Sequence, residues 1–416
     1  MLTKQIFITY KKAKKTGLED KNMGKFVPLS IPNFEGNEEK YVLDAVHQGW
    51  VSTGGAYIAQ LEEKMAEFLN VPMTVACQSG TAALHLALME CGVQPGDCVI
   101  VPTVTFIAAV NPVKYQFASP VFMDCDDSLC MDPEKLRLFC ETECEKKADG
   151  LYRKADGSKV KAIVVVHVFG NLADMERIMQ IADQYGLKVI EDATEALGSK
   201  FTEGKYAGQY AGTIGDFGAY SFNGNKIITT GGGGALTAKD LNAAKHAKYI
   251  STQAKDDVHY YIHNEVGYNY RMTNLQGALG VAQMEELPEF IERKQKNYSV
   301  YRELLQDSKT GYLLPFREGT ESNKWFYSYV LDRNVVKAEL RDIITELEKE
   351  GVQTRAIWGL IHEQKPYVDC TAFQIKKAKE YSRRVINLPC STNLKEEDIV
   401  FVVQVLQRVL EKLSQA

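Results

Sequence analysis

The chain has 416 residues, of which 45% are hydrophobic and 25% charged, and 49 basic against 54 acidic side chains leave a net charge of -5. This is the composition of a soluble globular protein with two or three structural units, and without a basic surplus it argues against a nucleic-acid partner. No apolar run reaches the roughly 18 residues of a membrane helix, and nine cysteines without a Cys-x-x-Cys pair read as reduced thiols of a cytoplasmic protein rather than a zinc site or disulfide framework.

Residues 1–26 read as a lysine-rich extension without the apolar core and cleavage site of a secretory signal. Helical periodicity runs from Asn37 to Gln48 and from Ala56 to Leu69, the latter with Tyr57, Leu61, Met65 and Phe68 on one stripe. Thr81–Cys91 is helical and apolar nearly all round, which implies burial. A strand–helix alternation follows: strand Cys98–Val101, helix Phe106–Lys114, strand Ser119–Asp124, helix Asp132–Cys140, strand Ala162–Val168, helix Met175–Tyr185 and strand Leu187–Ile190. Short, continuously apolar strands alternating with helices predict a doubly wound α/β sheet, mostly parallel and covered on both faces, with ligands at the carboxyl ends of its strands. The charged run Glu141–Lys161 reads as a surface insertion, a hairpin turning at Asp156-Gly157. A helix from Leu287 to Leu305 then leads into a second pattern: strand Trp325–Val330, helix Val336–Glu350, strand Thr354–Ile357 and helix Glu396–Leu413. The expected division is an extension at 1–26, a large α/β domain at 27–290 and a smaller α+β domain at 291–416.

Three features carry chemistry. Ser79-Gly80-Thr81 opens a helix, where unpaired backbone N–H groups and a partial positive charge suit a phosphate. Asp192 ends the apolar strand Lys188-Val189-Ile190, preceded by Glu191. Lys226 lies in a Gly/Asn-rich turn behind the strand Phe217–Phe222 and ahead of four glycines, Gly231 to Gly234. Each has an ordinary reading taken alone: a helix cap, a capping acid, a solvated lysine. Together, on an α/β pattern, they are the parts needed to hold pyridoxal phosphate. The helix start takes the phosphate, the acid holds the pyridinium nitrogen, and the lysine forms a Schiff base. Ser221 is in position to reach the phosphate, and Phe106, just past a strand end, to stack on the ring. The glycine run lacks the Gly-Lys-Ser/Thr of a Walker loop and the strand–helix flanks of a dinucleotide fingerprint.

These blocks, with Gly49-Trp50-Val51-Ser52-Thr53-Gly54-Gly55, Val101-Pro102-Thr103-Val104-Thr105-Phe106, Glu191-Asp192-Ala193-Thr194-Glu195-Ala196-Leu197-Gly198 and Gly267-Tyr268-Asn269-Tyr270-Arg271-Met272-Thr273-Asn274, resemble the DegT/StrS-type sugar aminotransferases from about Val27 to the C-terminus. The resemblance implies the type I, aspartate-aminotransferase-like fold and pyridoxal phosphate as cofactor. It implies Lys226 as the Schiff-base lysine, Asp192 on the pyridinium, Gly80, Thr81 and Ser221 on the phosphate, and Phe106 on the ring. Asn223 and Glu195 join the cofactor site, and Asn269 reaches the cofactor of the neighbouring subunit of a homodimer. Glu195 stands where many relatives carry Gln or His, and a carboxylate beside the cofactor's phenolic oxygen should hold a proton or turn away.

The run Ser221-Phe222-Asn223-Gly224-Asn225-Lys226 departs from the commoner Ser-Phe-His pattern. With Thr354–Trp358 and His362–Tyr367 it resembles the enzymes that aminate C4 of nucleotide-linked 4-keto-6-deoxy-hexoses on the way to legionaminic acid or bacillosamine. On that resemblance Trp358 and His362 line the sugar pocket, L-glutamate is the donor, and a UDP-linked keto-sugar is the acceptor. Arg271 is the expected partner of the donor carboxylate, with a subunit-interface ion pair as its other reading. A GDP-linked 4-keto sugar, a 3-keto sugar and a non-catalytic regulator that binds the cofactor are the alternatives.

Overall fold

The computed structural model describes residues 24–257 and 259–414. Most of the expected extension at 1–26 lies outside the described residues. The first ten strands are β1 (Thr74–Cys77), β2 (Cys98–Pro102), β3 (Ser119–Met123), β4 (Cys144–Lys147), β5 (Gly150–Arg153), β6 (Lys159–Val166), β7 (Lys188–Asp192), β8 (Lys200–Phe201), β9 (Phe217–Ser221) and β10 (Gly234–Ala238). Six follow: β11 (Gly311–Leu313), β12 (Thr320–Glu321), β13 (Tyr327–Leu331), β14 (Arg355–Ala356), β15 (Ala372–Phe373) and β16 (Val385–Leu388). The helices are α1 (Glu38–His47), α2 (Ala56–Leu69), α3 (Gly80–Glu90), α4 (Asn111–Tyr115), α5 (Pro133–Thr142), α6 (Met175–Tyr185), α7 (Leu241–Ser251), α8 (Asn274–Leu305), α9 (Leu340–Lys349), α10 (Lys377–Tyr381) and α11 (Glu396–Ser414).

The main sheet runs β1-β10-β9-β7-β6-β2-β3-β15. Along this path all neighbours from β9 to β15 are parallel, and β10 runs against both of its neighbours. The expected α/β class and mostly parallel sheet are what the chain forms, as the unbroken burial of β2 and β7's last four residues requires of strands covered on both faces. The charged insertion makes two turns, not one. β5 returns antiparallel onto β6 at Asp156-Gly157, and β4 returns onto β5 at Ala148-Asp149.

The α8 helix begins thirteen residues before the expected Leu287. Thr273 and Gln276 form a reciprocal cap there. Gly277 and Gly280 hide that start in the sequence because they are poor helix formers. They are present because α2 passes close: a Cβ at Gly277 would meet the Ile58 nitrogen at 2.9 Å, and one at Gly280 the Leu61 side chain at 2.8 Å.

The second sheet, β11-β13-β16-β14, belongs to the C-terminal part as expected. Contacts nevertheless join the two expected units. Residues 27–31 bond to the C-terminal unit, through the Val27 N–H to the Gly351 carbonyl (2.8 Å) and the Ile31 N–H to Ser391 Oγ (3.0 Å). In return, β15 adds to the main sheet beside β3. The two units therefore interlock at the strand ends.

In the second half of α8 sits Lys294, 2% exposed, whose ammonium donates to the Cys390 carbonyl at 2.5 Å. Burial pushes its titration below the ordinary lysine value. The unfolded chain thus takes up a proton that the folded chain has released, so this group's contribution is most favourable above about pH 10.4 and is withdrawn as pH falls towards the lowered native value. Urea denaturation of the wild type should show stability rising with pH across that alkaline window, and Lys294→Met should flatten the rise.

Candidate functional site

The α3 helix starts where β1 ends. Ser79 caps it, its hydroxyl accepting from the Ala82 N–H at 3.1 Å. Among the described residues, the N–H groups of Gly80 and Thr81 have no protein acceptor. The helix start lies hard against the end of β9: a Cβ on Gly80 would stand 2.9 Å from Ser221 Cβ and 3.2 Å from the Tyr220 carbonyl. Glycine is therefore required at this position, and the close approach brings the half-buried Ser221 beside the two unpaired donors. The same turn is tied to the segment carrying Asn269, through the Gln78 N–H to the Tyr270 carbonyl at 2.8 Å. Asn269 itself is exposed.

The two carboxylates at the end of β7 part company, as successive strand residues must. Glu191 is fully buried and accepts from the N–H groups of Gly212 (3.0 Å), Ile214 (2.6 Å) and Gly215 (2.7 Å). His167 adds a fourth donor at 2.9 Å. Its Nδ1 accepts from the Ala173 N–H, so the ring proton sits on Nε2 and points to Glu191. Glu191 thus fixes the turn that leads into β9. Asp192 is 4% exposed and accepts from the Thr194 N–H at 3.1 Å. Burial raises its titration above the ordinary aspartate value, against the pull of that hydrogen bond and of the Lys226 charge.

Lys226 Nζ lies 3.4 Å from Glu195 Oε1. The other oxygen, Oε2, accepts from the Phe169 N–H at 2.9 Å, aimed by a left-handed backbone at Phe169 (φ 57°). Glu195 is 4% exposed, and burial pushes it up to about 7 despite the opposing Lys226 charge. The elevation expected from its sequence position is therefore present, but its cause is desolvation, which acts before any cofactor oxygen comes near. Above the ammonium lies the ring of Trp325, with its centroid 4.3 Å from Nζ. Asn323, fully buried, donates to the carbonyls of Glu195 and Leu197, each at 3.0 Å.

The other expected site residues fall out differently. Phe106 is 55% exposed at the strand-end face, on the loop after β2. Asn223 is exposed in the Lys226 turn, and its carbonyl accepts from the Lys226 N–H at 3.0 Å. Trp358 packs on Phe169, ring centroids 4.6 Å apart, and so abuts the loop that holds Glu195. His362 bonds through Nδ1 to Thr103 Oγ1 at 2.6 Å, at the end of β2. The Arg271 guanidinium pairs with Glu62 of the same chain, which also holds Lys248 at 2.8 Å and the Ala76 N–H at 2.9 Å, in a part-buried network. Residue reading missed Trp325, Asn323, Phe169 and His167 as parts of the site. The Trp325–Val330 aromatic run gives the only signal, and it reads as a strand.

A model of the DegT/DnrJ/EryC1/StrS aminotransferase family matches residues 32–407. The chain is 35% identical over 390 residues to EpsN of Bacillus subtilis (strain 168), described as a pyridoxal phosphate-dependent aminotransferase, covering 92% of this chain and 96% of that protein. It is 34% identical over 387 residues to GDP-perosamine synthase of Caulobacter vibrioides, covering 92% and 98%. Among solved structures, a DegT DnrJ EryC1 StrS aminotransferase from Brucella abortus superposes with a TM-score of 0.80 at 27% identity, covering 90% of this chain and 95% of that one.

Because Glu195 titrates higher folded than unfolded, its contribution to stability is full below about pH 4.5 and lost as pH rises through about 7. Thermal unfolding of the cofactor-free protein should therefore show a fall in stability over that window, and Glu195→Gln should flatten it. An unchanged profile would remove the buried carboxyl from the description of the site.

Proposed function

The chain belongs to the DegT/DnrJ/EryC1/StrS aminotransferase family, and we propose that it moves an amino group from L-glutamate to the C4 ketone of a UDP-linked 4-keto-6-deoxy-hexose. The product would serve a bacterial surface glycan or a nonulosonic acid such as legionaminic acid. The observation that carries the reading is the convergence, at one end of the sheet, of the Lys226 amine, the buried Asp192 and the unpaired N–H groups of Gly80 and Thr81. Retention of lysine at 226 supports transamination over a non-catalytic role.

The cofactor of this aminotransferase family is pyridoxal phosphate, and the residues present fit it. Two unpaired helix-start donors beside the Ser221 hydroxyl suit a phosphate. A buried carboxylate with one short-range N–H partner suits a cationic ring nitrogen. When bound, the cofactor supplies the electron sink for the carbon that loses and regains a proton. Lys226 anchors it and then moves that proton as general base and acid. Asp192 keeps the ring nitrogen protonated, and Phe106 covers a ring face. Asn223 borders the site from the Lys226 turn, while Trp358 and His362, brought in on the C-terminal unit, border the sugar.

We assign the protein to a homodimer in which Asn269 completes the partner's site. Its support is the exposed segment before Asn269, where Tyr260, Tyr261 and Val266 are 80%, 70% and 84% exposed. A cytoplasmic setting is supported by nine free cysteines, eight of them buried. No described helix is long and apolar enough to cross a membrane.

A second reading, a GDP-linked 4-keto sugar, is favoured by the 34% identity to GDP-perosamine synthase. Release of 2-oxoglutarate from glutamate, measured against UDP- and GDP-linked 4-keto-6-deoxy-hexoses, separates the two. The UDP sugar should give the higher kcat/KM, and the reverse order would transfer the assignment to GDP. Lys226→Ala should lower turnover by at least about 10²–10⁴-fold with either sugar, the usual worth of a positioned acid–base group. Undiminished turnover by that variant would end the proposal.

A further inference from the structure

We propose that Trp325 is a positioning residue for Lys226, by which the C-terminal unit reaches into the site and fixes the catalytic amine alongside Glu195. Lys226 sits in an irregular turn on a long, flexible stem, whose rotamer freedom must be given up to hold one geometry. Trp325 acts on it twice. The ammonium lies over the indole face, 4.3 Å from its ring centroid, within the range of a cation–π attraction. The indole Nε1–H donates to the Asn225 carbonyl at 2.9 Å, pinning the residue just before the lysine.

The indole is itself held. It is 3% exposed and stacks on Phe326 with ring centroids 3.9 Å apart and planes 7° from parallel. Its own backbone N–H donates to Asn323 Oδ1 at 3.1 Å, while the Asn323 amide donates to the Glu195 carbonyl at 3.0 Å. A closed circuit results: Lys226 to Glu195, Glu195 to Asn323, Asn323 to Trp325, and Trp325 back to Lys226. Glu195 and Lys226 come from the large sheet, and Asn323 and Trp325 from the segment entering β13. The amine is therefore placed only when the two units are docked.

This inference rests on Lys226 as the cofactor's anchor, and its test separates the two ideas. Covalent capture joins the lysine nitrogen to the aldehyde carbon of pyridoxal phosphate as a C=N bond, breaks the C=O bond and releases one water. The amine must first lose a proton, and Glu195, 3.4 Å away, is the acceptor in reach. Pyridoxamine phosphate has no aldehyde, so its binding reports on the pocket without the lysine bond. The experiment mixes cofactor-free full-length protein with pyridoxal phosphate, follows the rise of visible absorbance, and measures pyridoxamine phosphate affinity by calorimetry. Trp325→Leu should slow capture by about 10- to 100-fold, the scale of an ångström-sized misplacement of a reacting group, with pyridoxamine phosphate affinity retained. Trp325→Phe keeps a ring face but loses the bond to Asn225, and should fall between the two. It carries the test if Trp325→Leu does not fold. Capture at the wild-type rate by these variants, or a parallel loss of pyridoxamine phosphate affinity, would overturn the positioning role. Absence of capture in the wild type itself would overturn the anchor role of Lys226, and with it this inference.

Discussion

The pairing of Lys226 with Glu195 in a desolvated pocket is the interaction on which the rest of the site depends. An amine and a carboxyl removed from water are costly unless each has a partner. Here the carboxyl has the ammonium on one oxygen and the Phe169 N–H on the other. The partnership has matching surroundings: a left-handed turn at Phe169 to aim the N–H, Asn323 to hold the Glu195 backbone, and an aromatic ring against the ammonium. Burial pushes the Glu195 carboxyl up to about 7, in the range where an acid–base group works best.

Much of the site was legible before the fold was known. Lys226, Asp192, Gly80 and Ser221 are each set by local chain geometry, a turn, a strand end or a helix start, and local geometry leaves marks in sequence. Glu191 and Asp192 looked alike, and the period-2 alternation of β7 separated them into a structural acid and a site acid. Residues that act across the fold left no such mark. Trp325 follows Lys226 by about a hundred positions, and only the docking of two units brings them together. Arg271 sits in a matching block, and its partner Glu62 on α2 is about twice as distant in sequence, so that pairing leaves no local mark either.

The fold shows the same division. Apolar parallel strands and amphipathic helices were readable where the periodicity was clean, as in β7, α2 and α6. Three strands of the main sheet, β1, β10 and β15, go unmarked because Thr74–Cys77 and Ala372–Phe373 are only four and two residues long and Gly234–Ala238 is built mostly from small residues with weak strand preference. The start of α8 was masked by glycines whose purpose is to admit α2. The pairings of residues 27–31 and of β15 across the expected units are unmarked for a related reason: both are tertiary pairings of short segments.

The most direct measurement is the absorbance of the purified protein with pyridoxal phosphate, recorded before and after L-glutamate and again after 2-oxoglutarate. An aminotransferase anchored by Lys226 should show a visible cofactor band that glutamate discharges and 2-oxoglutarate restores. A band that glutamate leaves unmoved would contradict the assignment of L-glutamate as donor and of Lys226 as the group that moves the proton.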